Sequence, residues 1–224
     1  MRIDEHGLTS AVFDSVVQEA LTAGLCSEHC SVDGTLIESF ASAKSFQPKD
    51  QKSGEATDGN GFTPSNPDVD FHGQKRTNET HQSRTDPEAK LYRKGPGKEA
   101  KLSHMGHTLA ENRHGLIVNV TVTEANGTAE RQATLAMLEE LKTTHQRQPK
   151  TLGADKGYDA GEFFAELESR EIEPHIPLVH EPGDPDKTPH QDRKAAIEAR
   201  RRMQARRGSK GYRLSQKCRK KIEE

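Results

Sequence analysis

Ser31 to Phe40 reads S-V-D-G-T-L-I-E-S-F. Val32, Leu36 and Ile37 give it the apolar, β-rich character of a strand, yet Asp33 stands inside it. A carboxylate within an apolar strand is costly to bury unless it is paired or bound to a metal. The fold therefore turns on what else reaches this strand. The best counterpart is L-G-A-D-K-G-Y-D, Leu152 to Asp159. Thr151 to Ala154 predicts a short strand ending at Asp155, and ligands of α/β sheets bind at the carboxyl ends of strands.

Outward from these two stretches the pattern alternates strands and helices. Upstream, Phe13, Val16, Val17, Ala20 and Leu21 share one face of a short helix that Gly24 ends. Downstream, Lys101 to Asn112 alternates as a strand, and Arg113-His114-Gly115 is a tight connection. Leu116 to Thr123 (L-I-V-N-V-T-V-T) completes an antiparallel hairpin. Thr128 or Gly127 caps a helix from Ala129 to about Thr143. A second helix covers Ala160 to Arg170, and Pro174 to Val179 is an edge strand. This order predicts an α/β fold, a mixed sheet flanked by helices. Residues 1–30 read as a helical N-terminal region, and 31–224 as one domain. Within it, 47–100 is polar and reads as a long, poorly ordered insertion after the first strand.

Composition limits the classes. Leu, Ile, Val and Phe make up 17% of the 224 residues, which implies a modest core diluted by polar segments. No stretch approaches the roughly 20 apolar residues of a membrane span, and the N-terminus lacks a signal-peptide core. Three cysteines are too few for a disulfide framework, so a reducing cytoplasm is expected. The net charge of −2 hides an asymmetry. Lys187 to Glu224 carries +10, and the first 186 residues carry −12. Such a basic block marks a polyanion-binding surface or a solvated tail. Arg200, Arg201, Arg202, Arg206, Arg207, Arg213, Lys217, Arg219, Lys220 and Lys221 are the residues that would neutralise phosphates.

A third carboxylate, Glu223, falls in a basic amphipathic helix from Leu214 to Glu224, four residues after Arg219 and on the same face. Two strand-borne Asp and one helix-borne Glu can converge on two divalent cations. Mg²⁺ takes a few carboxylates and several waters, and a pair of ions roughly 4 Å apart stabilises an in-line phosphodiester displacement. Cys26-Ser-Glu-His29-Cys30 could hold a softer metal, but no second ligand pair follows it. His104 and His107 fall on opposite faces of one strand and cannot share an ion.

The chain resembles DDE transposases of bacterial insertion sequences. The resemblance is carried by Ser31–Phe46, Asn66–His81, Asp86–Lys94, Lys101–Leu116, Leu152–Asp159 and Ser215–Glu224, in the family's order over most of the chain. It implies an RNase H-like fold with Asp33, Asp155 and Glu223 as catalytic and metal-binding residues. Two Mg²⁺ or Mn²⁺ ions per site are implied with them. It implies DNA partners (element terminal inverted repeats and target DNA), a homodimer in the active complex, and a nucleoid-associated home in the bacterial cytoplasm. The family signature often has Tyr three residues before the Arg, where this chain has Gln216, and a Lys about seven residues after the Glu, where this chain has ended. The resemblance thus also implies a copy cut short at both ends, and a rival reading as a non-catalytic DNA-binding derivative.

Overall fold

The computed structural model describes residues 7–49, 76–93, 95 and 97–223. The chain divides into two units: one of residues 1–33, 107–121 and 130–224, the other of 34–106 and 122–129.

The first unit holds the parallel part of the sheet. Strand β1 (His29–Glu38) runs parallel to β7 (Thr151–Gly153), and β7 parallel to β8 (Glu173–His175). On the other side of β1 stands β5 (Lys101–Glu111), which pairs with β6 (Ile117–Glu124), so the order is β6-β5-β1-β7-β8. This is a mixed sheet with β8 at an edge, as the prolines around it predict. Helices α1 (Leu8–Thr22), α2 (Ala129–His145), α3 (Gly161–Ser169) and α4 (Gln191–Arg206) flank it, followed by α5 (Lys210–Cys218) and α6 (Lys220–Glu223). One core joins them. Val32, Leu109, Met137, Leu152, Phe164, Leu167, Ile176 and Met203 are all under 5% exposed. Removing that apolar area from water is the main force holding the layers together.

Local chemistry sets the element ends. Helix α1 stops at a left-handed Gly24 (φ +69°), where Gly24 and Leu25 N–H donate back to the Leu21 and Ala20 carbonyls. Its buried face is Phe13, Val17, Ala20 and Leu21; Val16, expected on that face, points outward. Thr128 directly precedes α2, and the Asn126 side-chain oxygen holds it by accepting from its backbone N–H and its hydroxyl. Between β5 and β6 the buried Glu111 carboxylate accepts N–H bonds from Ser27, Arg113, His114 and Leu116 at 2.5–3.3 Å. Burial pushes this carboxyl up, but the four donors outweigh it and hold its pKa at about 2. Helix α3 packs closely on α4: a Cβ on Gly161 would lie 2.5 Å from the Ala196 carbonyl oxygen.

In the second unit, the described part of the stretch 47–100, read from the sequence as a poorly ordered insertion, includes short strands. Strands β2 (Phe46–Pro48) and β3 (His81–Ser83) form an antiparallel pair, and β4 (Lys90–Tyr92) pairs with the start of β5. Phe46, Ala89 and Leu102 make a small core. Polar side chains supply the rest. The Asn78 amide both donates to and accepts from the Leu91 backbone, and Asp86 accepts from Ser39 and pairs with His104. Residues 50–75, 94 and 96 lie outside the described residues, and the matching stretch Asn66–His81 falls largely among them.

Candidate active site

Asp33 lies in β1 and Asp155 two residues beyond β7. The register between these parallel neighbours pairs Ser31 with Gly153 and His29 with Thr151. Asp33 and Asp155 continue the same offset of 122 positions, so adjacent strands deliver both to one end of the sheet. Both are partly buried. Asp155 also caps a 3-10 turn, its Oδ1 accepting from Gly157 N–H at 2.7 Å, which fixes how the carboxylate is presented. The capping role and the site role coexist in one side chain.

A third acid, Glu130, stands beside them. It occupies the first turn of α2, and its carboxyl is pushed up by burial and then by the charges of Asp155 and Asp33. The hydroxyl of the fully buried Tyr158 is likewise pushed up, by burial first and then by Glu130 and Asp33. Two aspartates that raise the proton affinity of a neighbouring glutamate and tyrosine mark a region of negative potential. Glu130 escaped the sequence reading. Its only signal was an acid in a helix first turn, which the helix dipole explains equally well.

The backbone of α6 places Glu223 in its last turn, and the Glu223 side chain lies outside the described residues. The expected helix from Leu214 to Glu224 is two helices. Helix α5 starts earlier, capped by Ser209, and ends at Cys218; Arg219 is its C-cap, and α6 follows. Lys221 anchors α6 by donating to the Asn112 and Arg113 carbonyls at 3.3 and 2.6 Å. Among the described residues, no group of three or more His, Cys, Asp or Glu is arranged to hold a metal ion. Cys26 and Cys30 are buried, and burial first, then Glu111, pushes Cys30 up to about 12, which keeps its thiol protonated.

The arginines expected to meet phosphate divide into two sets. Arg200 pairs with the buried Asp159 at 2.8 Å, and Arg201 reaches Asp184 at 3.6 Å. Arg202 and Arg206 both grip Glu168 at 2.7 Å. These four α4 side chains are engaged inside the fold, and the sequence had no means to reveal their partners. Arg213, Lys217 and Lys220 are exposed and make no ion pair among the described residues. Arg207 lies beside Tyr212.

Residues 64–223 match the family model for the transposase DDE domain. The chain belongs to that family, and its mixed sheet flanked by helices is the α/β architecture the strand and helix order predicted. Among solved structures, the Mos1 transposase paired-end complex with left transposon end is similar at 11% identity and a TM-score of 0.32; the alignment covers 94% of this chain and 60% of that one. A pre-cleavage Mos1 transpososome matches at 10% identity and a TM-score of 0.32, over 95% and 60% of the two chains. The chain thus spans about three-fifths of the length of these transposases. No curated protein matches it.

Proposed function

We propose that the chain is the catalytic domain of an insertion-sequence DNA transposase that hydrolyses a phosphodiester at the element end and then transfers the strand. The observation that carries this reading is the placement of Asp33 on β1 and of Asp155 two residues past its parallel neighbour β7, at the offset of the strands' register, in a chain of the transposase DDE family. In the first step water attacks phosphorus and the 3′ oxygen leaves as a hydroxyl. In the second that 3′-hydroxyl attacks a target phosphodiester and the target's own 3′ oxygen leaves as a hydroxyl, so this transfer step conserves the number of phosphodiester bonds.

The donor set fits a hard divalent cation. Asp33 and Asp155 are oxygen ligands, and the field that raises Glu130 is one that positive charge relieves. Two bound Mg²⁺ or Mn²⁺ ions would activate the nucleophile and stabilise the leaving oxygen. Asp33 and Asp155 would hold them, with Glu223 completing the second position. The Gly157 N–H keeps Asp155 aimed during both steps. Arg207, Arg213, Lys217, Arg219 and Lys220 would face element-end and target DNA, while Lys221 chiefly anchors α6. Arg200, Arg201, Arg202 and Arg206 chiefly brace the fold that presents them. Pairing of two ends requires a homodimer, and the bacterial nucleoid is where the substrate lies. No helix among the described residues is long and apolar enough to cross a membrane.

Asp33→Asn and Asp155→Asn test this reading. Both should abolish Mn²⁺-dependent nicking of element-end DNA and weaken Mn²⁺ binding followed by electron paramagnetic resonance, while gel-shift affinity holds or rises. Nicking that survives either substitution refutes the assignment. A parent chain that binds element ends and never nicks them would favour the non-catalytic derivative.

A further inference from the structure

Helix α5 turns the buried Tyr212 and Ser215 and the half-buried Gln216 to the sheet, and Arg213 and Lys217 to solvent. It lies directly on the strands that lead to the aspartates. A Cβ on Gly153 of β7 would lie 2.8 Å from Ser215 Oγ and 2.9 Å from Ser31 Oγ, so a bare glycine is what lets the helix down onto the sheet. Ser31 and Gly153 are register partners, and each stands two residues before an aspartate, Asp33 or Asp155. On β8 the His175 ring meets the Tyr212 ring edge-on, with centroids 5.8 Å apart.

One side chain ties this contact to the site. The β7–β8 ladder ends at the pair Gly153–His175. There Gln216 Nε2 donates to the His175 carbonyl and, at 3.5 Å, to the Ala154 carbonyl. Both partners are acceptors, so only the NH₂ end of the amide can serve them, and its two hydrogens match the two oxygens. The Ala154 carbonyl belongs to the peptide unit whose nitrogen is that of Asp155. A movement of α5 is therefore felt by the peptide that enters Asp155, while Gly157 N–H holds the carboxylate at its far end. On the helix side, Gln216 stands three residues before Arg219, where α5 gives way to α6 and the backbone of Glu223. This is the position at which the family signature often has Tyr. A phenol carries one hydrogen and can serve one carbonyl; the primary amide serves both.

We propose that Gln216 is a positioning residue for Asp155: an amide strap across the ends of β7 and β8 that keeps α5, and with it the backbone of Glu223, in fixed relation to that aspartate. The role of Asp155 in nicking rests on the proposed function. Cutting the strap leaves the aspartates and the exposed cations of α5 in place and loosens only their mutual geometry. A misplacement of about 1 Å is enough to cost on the order of 100-fold in rate.

The test compares two variants of the full chain. Gln216→Met keeps the length of the side chain and removes both hydrogens; Gln216→Lys donates again through its ammonium. In Mn²⁺-dependent nicking of element-end DNA, Gln216→Met should lower kcat at least about ten-fold and leave KM for DNA within about two-fold. Gln216→Lys should recover most of the lost turnover. Hydrogen exchange is read on the same proteins without DNA or metal. In Gln216→Met the amides of residues 154–158 and 212–219 should exchange at least about five-fold faster, with those of α2 unchanged. Unchanged exchange overturns the proposal, as does a folded Gln216→Lys that stays slow. A loss carried by KM in place of kcat overturns it too, because it makes Gln216 a DNA contact. If Gln216→Met lowers the melting temperature, Gln216→Asn, one methylene too short to span both carbonyls, carries the test. A parent chain that never nicks refutes the proposed function; the strap is then judged by exchange alone, faster exchange upholding it and unchanged exchange overturning it.

Discussion

Helices α4 and α5 are neighbours in sequence and alike in charge, yet they use their cations in opposite ways. In α4, Arg200, Arg202 and Arg206 reach acids fixed on other elements: Asp159 after the 3-10 turn and Glu168 on α3. In α5, Arg213 and Lys217 point to solvent. The difference teaches that a basic run has no meaning until its partners are known. A guanidinium held by a carboxylate within the fold is geometry, whereas an exposed one is free charge for a polyanion.

The largest effect should come from breaking the buried member of the α4 set. Asp159 is 4% exposed at its side chain and also accepts from Val179 N–H. Asp159→Ala should cost about 3 kcal/mol in urea unfolding at constant m-value, because Arg200 is left part-buried without its partner. Replacing the pair together by Leu and Met should recover most of that loss.

Next in size is the platform that α6 grips. Glu111→Gln should cost about 2 kcal/mol, since the amide offers one acceptor oxygen to four donors. The pH dependence has a definite sign. The folded pKa, about 2, lies below the usual 4.5, so the stabilisation is complete above pH about 4.5 and fades as pH falls towards 2. The Gln variant should show a shallower acid limb. An unchanged limb would mean another acid controls it.

Glu168→Gln sharpens the contrast because it turns α4 into a second α5. Burial pushes Glu168 up, but Arg202 and Arg206 outweigh it and hold its carboxyl low. Losing the charge should cost about 1 kcal/mol, a modest figure because Arg202 is half-exposed. It should also steepen the salt dependence of DNA binding as two guanidiniums are released. Smallest in stability, Arg213→Ala and Lys217→Ala should change unfolding by less than about 0.5 kcal/mol. Each should lower the slope of log affinity against log salt by about 1. Arg202→Ala should leave that slope unchanged, and a fall there would erase the distinction between the helices.

The strands were legible because β-branched alternation and the hairpin connection are local signals; Ile117–Glu124 was visible almost to the residue. Asp33 and Asp155 were legible because a carboxylate in or at the end of an apolar strand is conspicuous. What escaped depends on distant partners. Glu130 looks like any acid in a first helical turn, and α4 is too polar to show an apolar stripe beyond Ala196, Ala199 and Met203. The described part of residues 47–100 is ordered by single side-chain bonds such as Asn78 to Leu91, which leave no periodicity behind them.

Gly161 gives this arrangement a point of failure that involves no charge at all. A methyl group there would meet backbone, the Ala196 carbonyl carbon and oxygen, and no rotamer change can move a backbone aside. The spacing of α3 and α4 is therefore set by one missing carbon. Drift at the four arginine positions is gradual, each change weakening one tether. Drift at Gly161 is all or nothing: alanine would wedge the helices apart and slacken both tethers to Glu168 at once, with the arginine sequence intact.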